Sequence, residues 1–142
     1  AFYIFICQNR KMKKLFQILT LLFSTVIFSS TSYAEWTQVQ KSEDEYVFFI
    51  DYETIRKENG FSYYWYLTNF PKPNKKTELS AVTLVQADCQ LFRYKTLSQT
   101  YYKKSMGEGN PSRSLNAEEN VKWTYALPKT VNTSILKLVC KH

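Results

Sequence analysis

The dipeptide Asn59-Gly60, between two strand-like segments, constrains the fold of this chain more than any other feature. Both central positions of a type I′ turn need positive φ, which Asn and Gly adopt readily, so the dipeptide predicts a tight β-hairpin. A two-residue turn also fixes the register of the two strands. The predicted cross-strand pairs are Glu58 with Phe61, Arg56 with Tyr63, Ile55 with Tyr64, and Thr54 with Trp65.

The second strand of this hairpin, residues 61–69, carries aromatic side chains on both faces, because side chains alternate along a strand. We expect the first face to be core. The second is expected to lie under another packed layer, helix or sheet, and the alternative is an aromatic binding or dimer surface. The first face holds Phe61, Tyr63, Trp65 and Leu67, and the second holds Ser62, Tyr64, Tyr66 and Thr68.

The first 34 residues predict export. Residues 1–11 are interpreted as an over-extended start, and residues 12–34 have the basic, apolar and small-residue segments of a signal peptide. Cleavage is expected between Ala34 and Glu35. The apolar segment has 14 residues, where a membrane span needs about 20, so no stable membrane anchor is expected after cleavage. Position 35 is Glu rather than the Cys of a lipoprotein.

The remaining residues, 35–142, are expected to form one domain in the periplasm, at the cell surface or outside a bacterial cell. The leader removes four of the 19 basic residues and none of the 12 acidic ones, which leaves a charge of +3. That modest charge argues against nucleic acid as the partner.

Short apolar segments alternate with turns from residue 36 onward, which predicts an antiparallel sheet of about six strands. Residues 91–97 and 100–104 are expected to be separate strands, residues 105–118 an exposed loop, and residues 121–127 a return to the core through Trp123. Apolar residues then recur at helical spacing after Thr130 or Asn132, which predicts a C-terminal helix. The fold class is therefore α+β with β dominant.

Cys89 and Cys140 are the cysteines left after cleavage, and an exported protein with two cysteines usually pairs them. A metal pair or redox couple would need further ligands or a C-x-x-C spacing. Catalysis has little support, since the sole histidine is His142 and the carboxylates Asp51 and Asp88 fit backbone hydrogen bonding at strand ends. We predict no enzyme activity, no metal and no cofactor.

Basic residues interleave with tyrosines in the segment 93–104. Such a pattern could bind an acidic or sulfated partner through ion pairs and cation–π contacts, and the alternative is a solvated sheet face. The candidate binding residues are Arg93, Tyr94, Lys95, Tyr101, Tyr102, Lys103 and Lys104.

A set of features is spaced along residues 36–140: residues 46–51, Thr54-Ile55-Arg56, Gly60, Trp65, Ser80, Asp88-Cys89, Arg93, Tyr101, Met106-Gly107, Trp123 and Val139-Cys140. In this order and spacing they make the chain resemble the surface-adhesin protein E family of small exported bacterial proteins. The resemblance implies an antiparallel sheet with a C-terminal helix and a disulfide, binding of host matrix or serum proteins such as vitronectin, laminin and plasminogen, and a homodimer. The alternative function is a periplasmic inhibitor or envelope accessory protein with a bacterial partner.

Overall fold

The computed structural model describes residues 34–118 and 120–142, which form an eight-stranded antiparallel sheet with an α-helix packed on it. This confirms the α+β, β-dominant fold class. The strands are β1 Trp36–Lys41, β2 Val47–Asp51, β3 Arg56–Glu58, β4 Phe61–Asn69, β5 Ser80–Asp88, β6 Arg93–Tyr102, β7 Pro111–Asn116 and β8 Thr124–Tyr125, and the helix α1 is Val131–Lys141.

The strands are hydrogen-bonded in the order β1-β2-β4-β5-β6-β7. The short strands β3 and β8 extend the two sides of the sheet, because β3 pairs with the first part of β4 and β8 with the first part of β6. The longest strands are β4, β5 and β6, which are neighbours in the sheet and are nine or ten residues long.

The Asn59-Gly60 hairpin is confirmed. Asn59 has φ 51° and Gly60 has φ 81°, and Arg56 pairs with Tyr63 as the turn predicts. The pairing does not continue to Ile55 and Thr54, because the chain leaves the sheet there through the 3-10 turn Tyr52–Thr54. Asp51 caps that turn by accepting a hydrogen bond from the backbone N–H of Glu53 at 3.1 Å.

Helix α1 covers the β4 face that carries Tyr64 and Tyr66, so the second-layer interpretation of that face is correct. The expectation that the opposite face is core was wrong for Phe61, Tyr63 and Trp65, which are half-buried. The helix lies on the other side of the sheet and leaves these rings partly open to solvent. The buried core is formed by Ile50, Tyr64, Val85, Ala87, Ile135, Leu136 and Val139.

Helix α1 begins after Thr130, one of the two caps that the sequence predicts. The side chain of Thr130 accepts a hydrogen bond from the backbone N–H of Thr133, which satisfies one of the free donors at the helix N-terminus. Near the other end, Cys140 forms the predicted disulfide with Cys89, at the end of β5. The disulfide therefore joins the helix to the centre of the sheet.

Three predicted segments differ from the structure. Residues 91–97 and 100–104 are not separate strands, because β6 runs through Arg93–Tyr102 with a bulge opposite Leu84 and Val85. Residues 105–118 are not simply a loop, since β7 lies within them and pairs with β6. Trp123 is half-buried on the sheet face away from the helix, and only Thr124–Tyr125 after it pairs with β6.

The proposed leader, including residues 1–11 and most of 12–34, lies outside the described residues. Ala34 and Glu35, which flank the predicted cleavage point, are exposed. Cleavage there stays a prediction. Among the helical segments that the structure describes, none is long and apolar enough to cross a membrane.

Candidate interaction face

Four of the aromatic rings on the side of the sheet opposite α1 form a surface that we call the aromatic face. Three of them belong to β4, where alternate residues point away from the helix. The fourth comes from the segment before β8. All four side chains are half-buried. The aromatic face is formed by Phe61, Tyr63, Trp65 and Trp123.

Trp123 connects β4 to β6 across this face. Its ring stacks on Phe61 with 5.5 Å between centroids and an interplanar angle of 27°. The guanidinium carbon of Arg93 lies 4.7 Å from the Trp123 ring centroid, and the Lys95 ammonium lies 4.9 Å from it. Cations at these distances are attracted by the negative face of the ring. The segment 120–123 is thereby held on the sheet by aromatic and cation–π contacts together.

The two basic residues near Trp123 differ in their ion pairing. Arg93 donates from Nε to the Asp88 carboxylate at 3.0 Å. The backbone N–H of Leu91 and the guanidinium of Arg93 hold the pKa of Asp88 below its usual range. Lys95 has no ion pair within residues 34–118 and 120–142. The positive charge near Trp123 that is available to a ligand is therefore mainly that of Lys95.

A second cation–π contact lies at the hairpin end of the face. The guanidinium carbon of Arg56 lies 5.3 Å from the Tyr63 ring centroid. Arg56 is exposed and makes no ion pair among the residues that the structure describes. The aromatic face is thus flanked by two basic side chains that make no ion pair with a described residue, Arg56 on β3 and Lys95 on β6.

The structure separates the seven predicted binding residues. Arg93 and Lys95 lie beside the aromatic face. Tyr94 points to the helix side, where its hydroxyl accepts a hydrogen bond from Asn132 Nδ2 at 2.6 Å. Because side chains alternate along β6, residues 93–95 cannot all serve one surface.

The other four candidate residues lie toward the far end of β6. Tyr101 is covered by Arg113, whose guanidinium carbon is 3.6 Å from the ring centroid. Tyr102 is half-buried on the opposite side and contacts the turn at Gly107. Lys103 and Lys104 are exposed after the strand and line a depression of about 350 Å³. These lysines are roughly 30 Å along the strand from Arg93, so the seven residues do not form one surface.

Sequence reasoning missed a buried ionic cluster around Glu78, which is 1% exposed. Its carboxylate accepts hydrogen bonds from Asn74 Nδ2 at 2.8 Å, Ser112 Oγ at 2.7 Å and Arg113 Nε at 2.9 Å. These contacts join the segment before β5 to β7, which also pairs with β6. Glu78 and Arg113 are 35 residues apart, and no local pattern indicates their pairing.

Ser80 and Met106-Gly107, two of the features that carry the family resemblance, have a structural role. Ser80 Oγ donates to the carbonyl of Lys104 at 2.6 Å and accepts from the backbone N–H of Gly107 at 3.0 Å. Asn69 Oδ1 accepts from the backbone N–H of Met106 at 2.8 Å. These bonds fix the turn Ser105–Gly107 against the sheet.

The two carboxylates considered for catalysis are engaged in local structure. Asp51 caps a 3-10 turn, and Asp88 accepts hydrogen bonds from the backbone N–H groups of Gln90 and Leu91 as well as from Arg93. This agrees with the predicted backbone role. Within the described ranges, no three side chains of metal-binding type come together.

The fold and the aromatic face define a small, disulfide-linked sheet protein with one side covered by a helix and the other presenting aromatic rings. The chain belongs to the surface-adhesin protein E family, whose model matches residues 36–141. The predicted family resemblance is therefore confirmed over the whole described domain. No curated protein matches the sequence.

Solved structures of Haemophilus influenzae protein E resemble this chain. Its crystal form II has a TM-score of 0.57 at 15% identity, covering 79% of this chain and 91% of that chain. The selenomethionine form has a TM-score of 0.55 at 16% identity, covering 79% and 90%. Protein E from non-typeable Haemophilus influenzae gives 0.53 at 14% identity, covering 79% of both chains. At these identities the likeness concerns the fold.

Proposed function

We propose that this protein is an exported, non-enzymatic adhesin that binds a protein partner through its aromatic face. The observation that carries the proposal is the set of four half-exposed rings flanked by Arg56 and Lys95. Tyr, Trp, Phe and Arg are the residues enriched at protein interfaces and at their energetic hot spots. Membership of the surface-adhesin family supports the same function and favours host matrix or serum proteins as partners.

The absence of enzyme activity is part of the proposal. Asp88 and Glu78 are both held by arginine and by further hydrogen bonds, which keeps their carboxylates ionised and engaged in structure. A general acid or base needs a pKa near the working pH and a free lone pair or proton. The pKa values of both buried carboxylates are shifted down, away from neutral pH, and both groups accept structural hydrogen bonds.

Binding is tested with the purified chain 35–142 on immobilised laminin and vitronectin. Trp123→Ala and Phe61→Ala remove half-exposed rings and should weaken binding about tenfold or more, as truncation of an interface hot spot does. Leu127→Ala is the matched control, because Leu127 is a large apolar side chain that is 66% exposed and lies outside the aromatic face. Equal losses in all three variants would exclude the aromatic face as the contact region.

Surface display is a separate element of the proposal. External protease added to intact cells should remove the tagged native protein while a periplasmic control protein survives. Protection of the tagged protein until the envelope is opened would contradict display, and would indicate instead a periplasmic inhibitor or accessory protein.

The family resemblance also leads us to propose a homodimer. Sedimentation equilibrium of the purified domain should give twice the chain mass at micromolar concentration. A monomer at those concentrations contradicts the proposed homodimer. The Trp123→Ala variant shows whether a dimer uses the aromatic face, since its dissociation constant would rise only in that case.

A further inference from the structure

Tyr63 of the aromatic face and three side chains on the same side of the sheet lie in one row across four neighbouring strands. Arg56 of β3 pairs with Tyr63 of β4, Tyr63 pairs with Gln86 of β5, and Gln86 pairs with Lys95 of β6. Directly paired residues of antiparallel strands point to the same side of the sheet. Three strand spacings separate the ends, so the Cα atoms of Arg56 and Lys95 are about 14 Å apart.

Gln86 lies inside this row, and no described residue forms a hydrogen bond with its side-chain amide. The residue is 9% exposed, yet its amide makes no hydrogen bond within residues 34–118 and 120–142. None of the fully buried polar atoms in this part of the chain lacks a partner, so the amide still contacts solvent. A primary amide offers two donors and an acceptor. The row therefore has an unused hydrogen-bonding group in its floor.

The ends of the row are positive. Lys95 and Arg56 have no ion pair among the described residues, and each lies over an aromatic ring rather than beside a carboxylate. Arg93 is neutralised by Asp88. Glu58 stands two residues from Arg56 on the same side of β3, so Lys95 is the stronger of the two anion-binding ends.

We propose that this row binds an extended acidic segment of a protein partner, laid across the strands with carboxylates over Arg56 and Lys95. An extended chain advances about 3.3 Å per residue, so acidic side chains four positions apart span about 13 Å, which matches the row. The residue midway between them lies over Tyr63 and Gln86. A peptide group there presents both a carbonyl and an N–H to the Gln86 amide. This inference rests on the proposed function and names the chemistry of the partner.

The test uses the domain 35–142 and a fluorescein-labelled peptide, Gly-Glu-Ser-Leu-Ser-Glu-Gly, in fluorescence anisotropy at low salt. Saturable binding is expected, and Lys95→Gln should weaken it about five- to tenfold, as loss of one partly desolvated ion pair does. Arg56→Gln should weaken it less, because of Glu58. Gln86→Leu removes the side-chain amide beneath the peptide and tests whether that amide contributes to binding. The matched control is Lys137→Gln, at an exposed position on helix α1.

Two control peptides test the spacing and the charge. A peptide with both Glu replaced by Gln, and one with its two Glu residues two positions apart, should each bind at least fivefold more weakly. No saturable binding up to about 2 mM peptide, equal affinity of the Lys95 and Lys137 variants, or equal affinity of the three peptides overturns the inference. Binding of a heparin fragment without binding of the peptide also overturns the inference. If laminin or vitronectin binding still depends on Trp123, the proposed function survives such a result.

Discussion

Glu78 shows how a single buried carboxylate can hold a region of the sheet together. The guanidinium of Arg113, with Asn74 and Ser112, outweighs the effect of burial and lowers the pKa of Glu78 from its ordinary 4.5 to about 2. The same pairing raises the pKa of Arg113. Truncation of one member of a buried pair leaves the other without its compensating charge, which costs several kcal/mol.

We predict that Glu78→Gln lowers the free energy of unfolding by about 2 kcal/mol at pH 7. Since the folded-state pKa is depressed, the carboxylate's contribution is complete above about pH 4.5 and is lost as the pH falls toward 2. The difference between wild type and variant should therefore shrink over that range. Urea unfolding from pH 7 to pH 2 measures it.

Glu53→Gln is the control for this titration, because Glu53 is exposed and forms no ion pair in the described part of the chain. Its stability should follow the wild-type pH profile. A Glu78→Gln profile parallel to the wild type down to pH 2 would show that the Glu78 carboxylate does not contribute through its charge.

Gly107 and Gly60 allow a comparison of backbone strain with packing. Both have positive φ, of 68° and 81°. A Cβ at Gly107 would lie 3.1 Å from Val82 Cγ2, whereas nothing lies within 4 Å of one at Gly60. We expect Gly60→Ala to cost about 1 kcal/mol from strain alone and Gly107→Ala about 2 kcal/mol. Thermal unfolding of both variants checks this, and equal losses would show that the turn at Gly107 adjusts freely.

At the scale of elements, the disulfide decides how firmly helix α1 is joined to the sheet. Cys89 and Cys140 are separated by 51 residues. The loop-entropy model gives about 4 kcal/mol for a loop of that length. We predict that Cys89→Ala with Cys140→Ala lowers the free energy of unfolding by about that amount, measured in urea.

Reduced wild-type protein is the control for the disulfide prediction, since it keeps both sulfur atoms but opens the bond. It should unfold near the same urea concentration as the double variant. A loss below about 1 kcal/mol in both would mean that contacts of Ile135, Leu136 and Val139 hold the helix without the bond.

At the scale of the whole molecule, residues Ala34–His142 form one compact unit. Its sheet and helix share one buried core, so we predict cooperative two-state unfolding of the oxidised domain. Tryptophan fluorescence reports on Trp36, Trp65 and Trp123, and far-UV circular dichroism reports on the strands and helix. The two transitions should coincide in urea, and separate midpoints would show that part of the sheet unfolds independently.

Features that depend on neighbours along the chain could be predicted from the sequence. Asn59-Gly60 specified the hairpin because positive φ at two successive positions suits few residue pairs. Thr130 and the apolar spacing after it specified helix α1. The pairing of Cys89 with Cys140 followed from their number and the export signal.

Which side of the sheet is core depends on where helix α1 packs, and therefore on the tertiary structure. Alternation along β4 divides its residues into two faces, but both faces carry large aromatic rings, and the helix that covers one of them begins more than 60 residues further along the sequence. The pairing of Glu78 with Arg113 and the row from Arg56 to Lys95 likewise join distant residues. Such contacts depend on strand order, and no local pattern encodes strand order.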